Sequence, residues 1–140
     1  MIVLDTNVLS ETMKPSPESS VIDWLDRRES STLYLTTVTV AEIGFGLRVL
    51  PAGRRRRALE DRFERFLTAG FAHRVLGFDF SAARLYPEVM GRRRKIGRAM
   101  GIADGQIASI ARAHGFAVAT RNVRDFADCG LDVLNPFAAS

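Results

Sequence analysis

Apolar runs too short for helices, beginning with Ile2-Val3-Leu4, alternate along this chain with segments that carry the three-to-four-residue repeat of an amphipathic helix. That alternation restricts the fold more than any other feature. Strands separated by helices are joined by crossovers, so they lie mainly parallel, with helices covering both faces of the sheet. The expectation is an α/β fold: a three-layer α/β/α sandwich around a central, mainly parallel sheet, with residues 1–140 forming one domain of ordinary size.

After the first strand, residues 7–13 read as a short helix ending before Pro15. Ser16 with Pro17 reads as the next helix start, and Val21, Trp24, Leu25 and Arg28 share one side of that helix. Residues 33–36 form the second strand. Thr39 is expected to cap a helix running to about Leu50, broken by Pro51-Ala52-Gly53. A longer helix with Leu59, Phe63, Phe66 and Leu67 at helical spacing follows, ended by Gly70. Residues 74–78 are the third strand, 81–95 a helix with Pro87 inside it, 102–114 a helix closed by Gly115, and 116–120 and 131–134 the last strands.

Charge and composition remove several function classes. No apolar run approaches the ~20 residues of a membrane crossing. The start of the chain reads directly as a strand rather than as a secretory signal, so a cytoplasmic protein is expected. Cys129 is the only cysteine, which excludes an internal disulfide, and His73 and His114 are too few and too separated for a zinc cluster, so any metal must be held by oxygen. The net charge of +4 comes almost entirely from arginine. That balance favours a polyanionic partner, with Arg92, Arg93, Arg94, Lys95 and Arg98 the first candidates for contacting its phosphates and Arg54 to Arg57 the second, and solvated helix faces or a partner-binding surface as the plainer reading of both runs.

Ligand crevices in open parallel sheets lie beyond the carboxyl ends of the strands. Asp5 directly follows the first strand, Glu42 lies in the helix after the second, and Asp125 follows the fourth. Asp104 opens the helix that precedes the fourth strand. Each acid also has a purely structural role open to it. Asp5 can cap the helix after it, Thr39-Val40-Ala41-Glu42 fits a capping box, Asp104 suits a helix start, and Asp125 can cap a turn at Phe126. Their joint placement argues for more than that. Carboxylates gathered at one edge repel one another unless protons or a cation neutralise them. Mg²⁺, or Mn²⁺ in its place, takes oxygen ligands, polarises a phosphate and lowers the pKa of a bound water, which is the chemistry of phosphodiester hydrolysis.

Four segments carry a resemblance that runs from the first residues nearly to the last. They are Leu4-Asp5-Thr6-Asn7, the stretch Thr36-Thr37-Val38-Thr39-Val40-Ala41-Glu42-Ile43-Gly44-Phe45-Gly46, then Ile102-Ala103-Asp104-Gly105-Gln106-Ile107-Ala108, and Ala119-Thr120-Arg121-Asn122-Val123-Arg124-Asp125-Phe126. In this order the chain resembles PIN-domain nucleases, most closely the VapC and FitB-like toxins. The resemblance implies a PIN-like sandwich in which Asp5, Glu42, Asp104 and Asp125 match the metal-binding acids. Thr6, Asn7, Thr120 and Asn122 match polar residues that orient those ligands through hydrogen bonds. It further implies an Mg²⁺-dependent endoribonuclease that leaves a 5′ phosphate and a 3′ hydroxyl. As a toxin it would form a homodimer and be silenced by a cognate antitoxin that threads a segment towards the active site, with a larger assembly held on DNA through the antitoxin. Gly101-Ile102-Ala103 departs from the family in lacking a serine or threonine cap before Asp104, and Pro87 interrupts a helix that is usually continuous.

Other readings stay open at this stage. A strand-end aspartate with Mg²⁺ also suits phosphatases that form an aspartyl phosphate, although Asp5-Thr6-Asn7 lacks the second acid two residues on. A PIN nuclease of RNA processing that is not a toxin, or a catalytically silent regulator that binds metal or RNA, would carry the same acids. Phe45, Leu47, Val49 and Leu50, with Leu59, Phe63 and Phe66, are expected in the core first, and on a dimer face or antitoxin groove second.

Overall fold

The computed structural model describes residues 1–138; residues 139–140 of the expected unit lie outside the described residues. Five strands form one sheet in the order β3-β2-β1-β4-β5: β1 (Ile2–Leu4), β2 (Leu33–Thr36), β3 (Val75–Leu76), β4 (Ala117–Ala119) and β5 (Val133–Leu134). All four pairings are parallel, as the alternation requires. Ile2 stands opposite Leu33 on one side and Ala117 on the other, Leu35 opposite Val75, and Val118 opposite Val133.

The pleat sends successive residues to opposite faces, and each face meets its own helices. Leu4, Leu33, Leu35 and Ala119 pack with Val8, Val21, Trp24, Ile43, Leu47 and Phe63. These come from α1 (Thr6–Thr12), α2 (Ser19–Asp26), α3 (Thr37–Arg48) and α4 (Arg54–Arg65). Val3 and Val118 pack on the other face with Val89, Ile107, Ala108, Ala111 and Phe126. Those belong to α5 (Phe80–Lys95), α6 (Ile102–His114) and α7 (Val123–Phe126). The result is the expected α/β/α sandwich. Among the described residues no helix is long and apolar enough to cross a membrane.

Several boundaries differ from the sequence reading, each for a local reason. α2 begins at Ser19 rather than at Ser16 and Pro17. The buried Glu11 carboxylate accepts the Glu18 backbone N–H at 3.0 Å and pairs with Lys14 at 2.9 Å, so the intervening residues are held as a turn. Thr39 does not cap α3. Thr36, the last residue of β2, does so: its Oγ1 accepts the Thr39 N–H at 3.1 Å, leaving no capping box for Glu42 to complete. β3 is two residues long rather than five, because it is an edge strand with a neighbour on one side only. Asp125 caps nothing either, since it is the third residue of α7, whose cap position is Asn122. α4 runs on into a π-helical turn, Phe66–Gly70.

Candidate active site

Chain direction in a parallel sheet decides which residues share an edge. β1, β2 and β4 all end at the same side, which places Asp5, the start of α3 and Thr120 together. A crossover helix runs antiparallel to the strand it feeds, so α6, leading into β4, begins at that side and carries Asp104 there. The order β3-β2-β1-β4-β5 reverses direction between β1 and β4, and Asp5 and Thr120 flank that switch point, where ligands of open α/β sheets bind.

Asp5 is only 4% exposed and fully engaged. Its Oδ1 accepts the Thr6 N–H at 2.8 Å, so it does cap α1. Its Oδ2 accepts the Thr120 hydroxyl at 2.8 Å and the Asn7 amide at 3.0 Å. Burial raises the Asp5 pKa, opposed by the Thr120 and Thr6 hydrogen bonds and reinforced by the Glu42 charge. Thr120 in turn accepts the Asn122 N–H at 3.0 Å, and Asn7 Oδ1 accepts the Arg121 N–H at 3.1 Å. The four polar residues singled out beside the acids therefore divide unevenly. Thr6, Asn7 and Thr120 touch Asp5 directly, whereas Asn122 touches it only through Thr120.

Glu42 is fixed by a chain of hydroxyls. Thr36 donates to Thr39 at 3.4 Å, Thr39 stands 3.0 Å from Thr6, and Thr6 donates to Glu42 Oε1 at 2.7 Å. Sequence reasoning missed Thr36 and Thr39 in this role, although the threonine-rich run 36–39 was the available signal. Asp104 lies in the first turn of α6, whose cap position, Gly101, offers no side chain. Burial, together with the charges of Asp5, Asp125 and Glu42, pushes its pKa up to about 6, with Arg93 opposing. Asp104 thus feels the charges of the other three acids, and Asp5 that of Glu42. Among the described residues no three acid, histidine or cysteine side chains already close on a single point. The donor set nonetheless suits a hard cation, since it is all oxygen and rich in negative charge.

The basic run on α5 does not behave as a unit. Arg92, Arg94, Lys95 and Arg98 are exposed. Arg93 is 4% exposed and donates to the carbonyls of Arg124 and Ala127, which corrects its expected place among solvent-facing phosphate contacts: the turn of the helix points it inward. Arg98 stands 3.8 Å from Asp128 and, with Arg93, the exposed Arg124 and Asp125, lines a cavity of about 470 Å³. Beside Glu42, a groove of about 520 Å³ runs between α1, α3 and α4, walled by Met13, Ile43, Leu47, Ala58 and Leu59 and rimmed by Lys14, Arg55 and Arg62. Leu47 and Phe63 are core, as the plainer reading had it, while Phe45 and Val49 are exposed.

Comparison with known proteins agrees with this geometry. The PIN domain family matches residues 2–130. The chain is 47% identical to a VapC ribonuclease of Sinorhizobium fredii, with 98% of each chain covered. It is 37% identical to the toxin FitB of Neisseria gonorrhoeae, covering 98% of this chain and 99% of the relative. A solved structure of FitAB bound to a DNA fragment superposes with a TM-score of 0.94 at 36% identity, over 100% of this chain and 98% of that one. With a parallel sheet in this order, an acid at the end of its central strand and likeness over its whole length to VapC and FitB proteins, the chain belongs to the PIN-domain family.

Proposed function

We propose that the protein is a divalent-metal-dependent endoribonuclease that serves as the toxin of a toxin–antitoxin pair in the cytoplasm. The observation that carries this reading is the acidic edge itself: Asp5 ends the central strand at the switch point of the sheet, and the charges of Asp5, Glu42 and Asp125 all reach Asp104. These four side chains would hold Mg²⁺, or Mn²⁺ as a substitute. When bound, the metal supplies Lewis-acid polarisation of the phosphate and a water of lowered pKa. The rest is done by the chain. Thr6, Asn7 and Thr120 hold the Asp5 carboxylate in one orientation, and the hydroxyl relay from Thr36 holds Glu42. The exposed Arg92, Arg94, Lys95 and Arg98 bring RNA phosphates to the edge.

The toxin role rests on the relatives. The FitB protein is named a toxin, and FitAB is a complex solved on DNA. In this chain the groove beside Glu42 is the place for an antitoxin segment, being walled by apolar side chains, rimmed by basic ones and reaching Glu42 and Thr6. A homodimer and a larger toxin–antitoxin assembly on DNA belong to the same proposal. The decisive experiment is cleavage of RNA by the purified protein with Mg²⁺ and with excess chelator. We expect cleavage only with Mg²⁺; equal activity in chelator would exclude the metal mechanism.

The raised Asp104 pKa gives a second expected result. In metal-free protein the folded state holds this proton more tightly than the unfolded chain, so the contribution of Asp104 to stability is full below pH values of about 4 and is lost as pH rises through about 6. Thermal unfolding of metal-free protein should therefore show a fall in midpoint across that window, and the fall should be flatter in Asp104→Asn. Mg²⁺ binds the ionised form and should restore stability above the window. A steeper fall in the variant than in the parent would contradict the assignment.

A further inference from the structure

Arg93 is the one residue of the α5 basic run that the fold turns inward, and arginines are seldom fully buried unless paired. No carboxylate forms an ion pair with it among the described residues. Among the described residues both of its side-chain hydrogen bonds go to main-chain carbonyls, from Nη1 to Arg124 at 3.0 Å and to Ala127 at 2.8 Å, and its buried Nε has no partner. A cation placed this way is unfavourable unless its position serves something.

Those two carbonyls lie on either side of Asp125. α7 is a four-residue helix, and the carbonyls at such an end have no helical donors of their own. The chain leaves it extended at Ala127, and the Arg93 guanidinium supplies the missing donor. Apart from this clamp, α7 is secured by the buried Phe126 and by the Asp125 N–H donating to Asn122 at 2.9 Å. The Asp125 side chain is exposed and, among the described residues, receives no hydrogen bond that fixes it, so its aim depends on the backbone beneath it.

We propose that Arg93 is a positioning residue: by gripping α7 on both sides of Asp125 it holds that carboxylate at the acidic edge, where the residue serves the metal. The inference rests on the reading of Asp125 as a metal ligand given above. Removing Arg93 has two opposed consequences. Loss of a nearby positive charge alone would tighten a divalent cation, whereas loss of the clamp lets Asp125 wander and weakens it. The proposal commits to weakening.

The test measures Mn²⁺ affinity by the paramagnetic signal of the free ion in wild type, Arg93→Gln, Arg93→Lys, Asp125→Asn and the Arg93→Gln/Asp125→Asn pair. Amide hydrogen exchange of residues 123–127 is followed in metal-free protein. We expect Arg93→Gln to weaken Mn²⁺ by about tenfold, the low end for residues that orient a ligand. Arg93→Lys should recover part of that, and Arg93→Gln should add nothing on the Asp125→Asn background. Exchange in 123–127 should rise in Arg93→Gln while that of α6 does not. RNA affinity in chelator should be unchanged, as it would not be if Arg93 contacted phosphate. Unchanged or tighter Mn²⁺, or equal weakening with and without the Asp125 carboxylate, overturns the proposal. Wild-type Mn²⁺ affinity in Asp125→Asn would instead remove the ligand assignment, and the exchange of 123–127 would then decide the grip of Arg93 on α7 by itself.

Discussion

Asp5→Asn is expected to lower the rate of Mg²⁺-dependent RNA cleavage by about a thousandfold and to abolish growth arrest when the protein is expressed without an antitoxin. The estimate follows from the several kcal/mol that a metal supplies to transition-state charge, at about 1.4 kcal/mol per factor of ten. Asp5 is the acid on which this loss should be largest, because it is the most buried and the most completely held, by Thr6, Asn7 and Thr120. The substitution keeps the shape and the acceptor for the Thr6 N–H. Burial opposes the charged form, while the new amide turns a donor towards Asn7 and Thr120, so folding is measured beside the rate. The measurement is single-turnover cleavage beside an unfolding curve. A variant that is folded and cleaves at the parent rate would remove Asp5 from the mechanism.

Phe126→Ala is the substitution with the largest expected effect on stability, about 3–5 kcal/mol. Its ring is fully buried with Val118, Ile107 and Cys129 on the α5–α6 side of the sheet, and alanine leaves a cavity that the surrounding strands and helices cannot close. Against a typical total of about 5–15 kcal/mol, a loss of that size leaves little in reserve. Phe45→Ala provides the control: that ring is 71% exposed, and its removal should change stability by no more than about 0.5 kcal/mol. Urea midpoints of the two variants measure the difference, and equal midpoints would place Phe126 outside the core.

The architecture and the edge at which the acids lie are legible in the sequence because both follow from chain direction. Once Ile2-Val3-Leu4 is a strand and helices alternate with strands, Asp5 must sit at a carboxyl end. Asp104 is harder to place by pattern, since its helix leads into a strand; the antiparallel run of a crossover helix supplies the missing step. The order of strands is not legible, because β1 takes partners about thirty and more than a hundred residues away, and no local pattern encodes that choice. Caps are misread for a related reason. Thr36 and Thr39 both suit a helix start, and only the length of β2 selects between them. Arg93 reads as one more solvated arginine because charge runs carry no mark of which member the helix turns inward.

The bond between Thr120 and Asp5 joins residues separated by 115 positions. During synthesis β1 emerges first and stays unpaired on its β4 side until residues 117–119 follow. A nascent polypeptide still lacking that stretch has neither the hydroxyl that orients Asp5 nor the strand that completes the crevice. The geometry that orients Asp5 is therefore set late, by a segment that follows every helix from α1 to α6 in the chain.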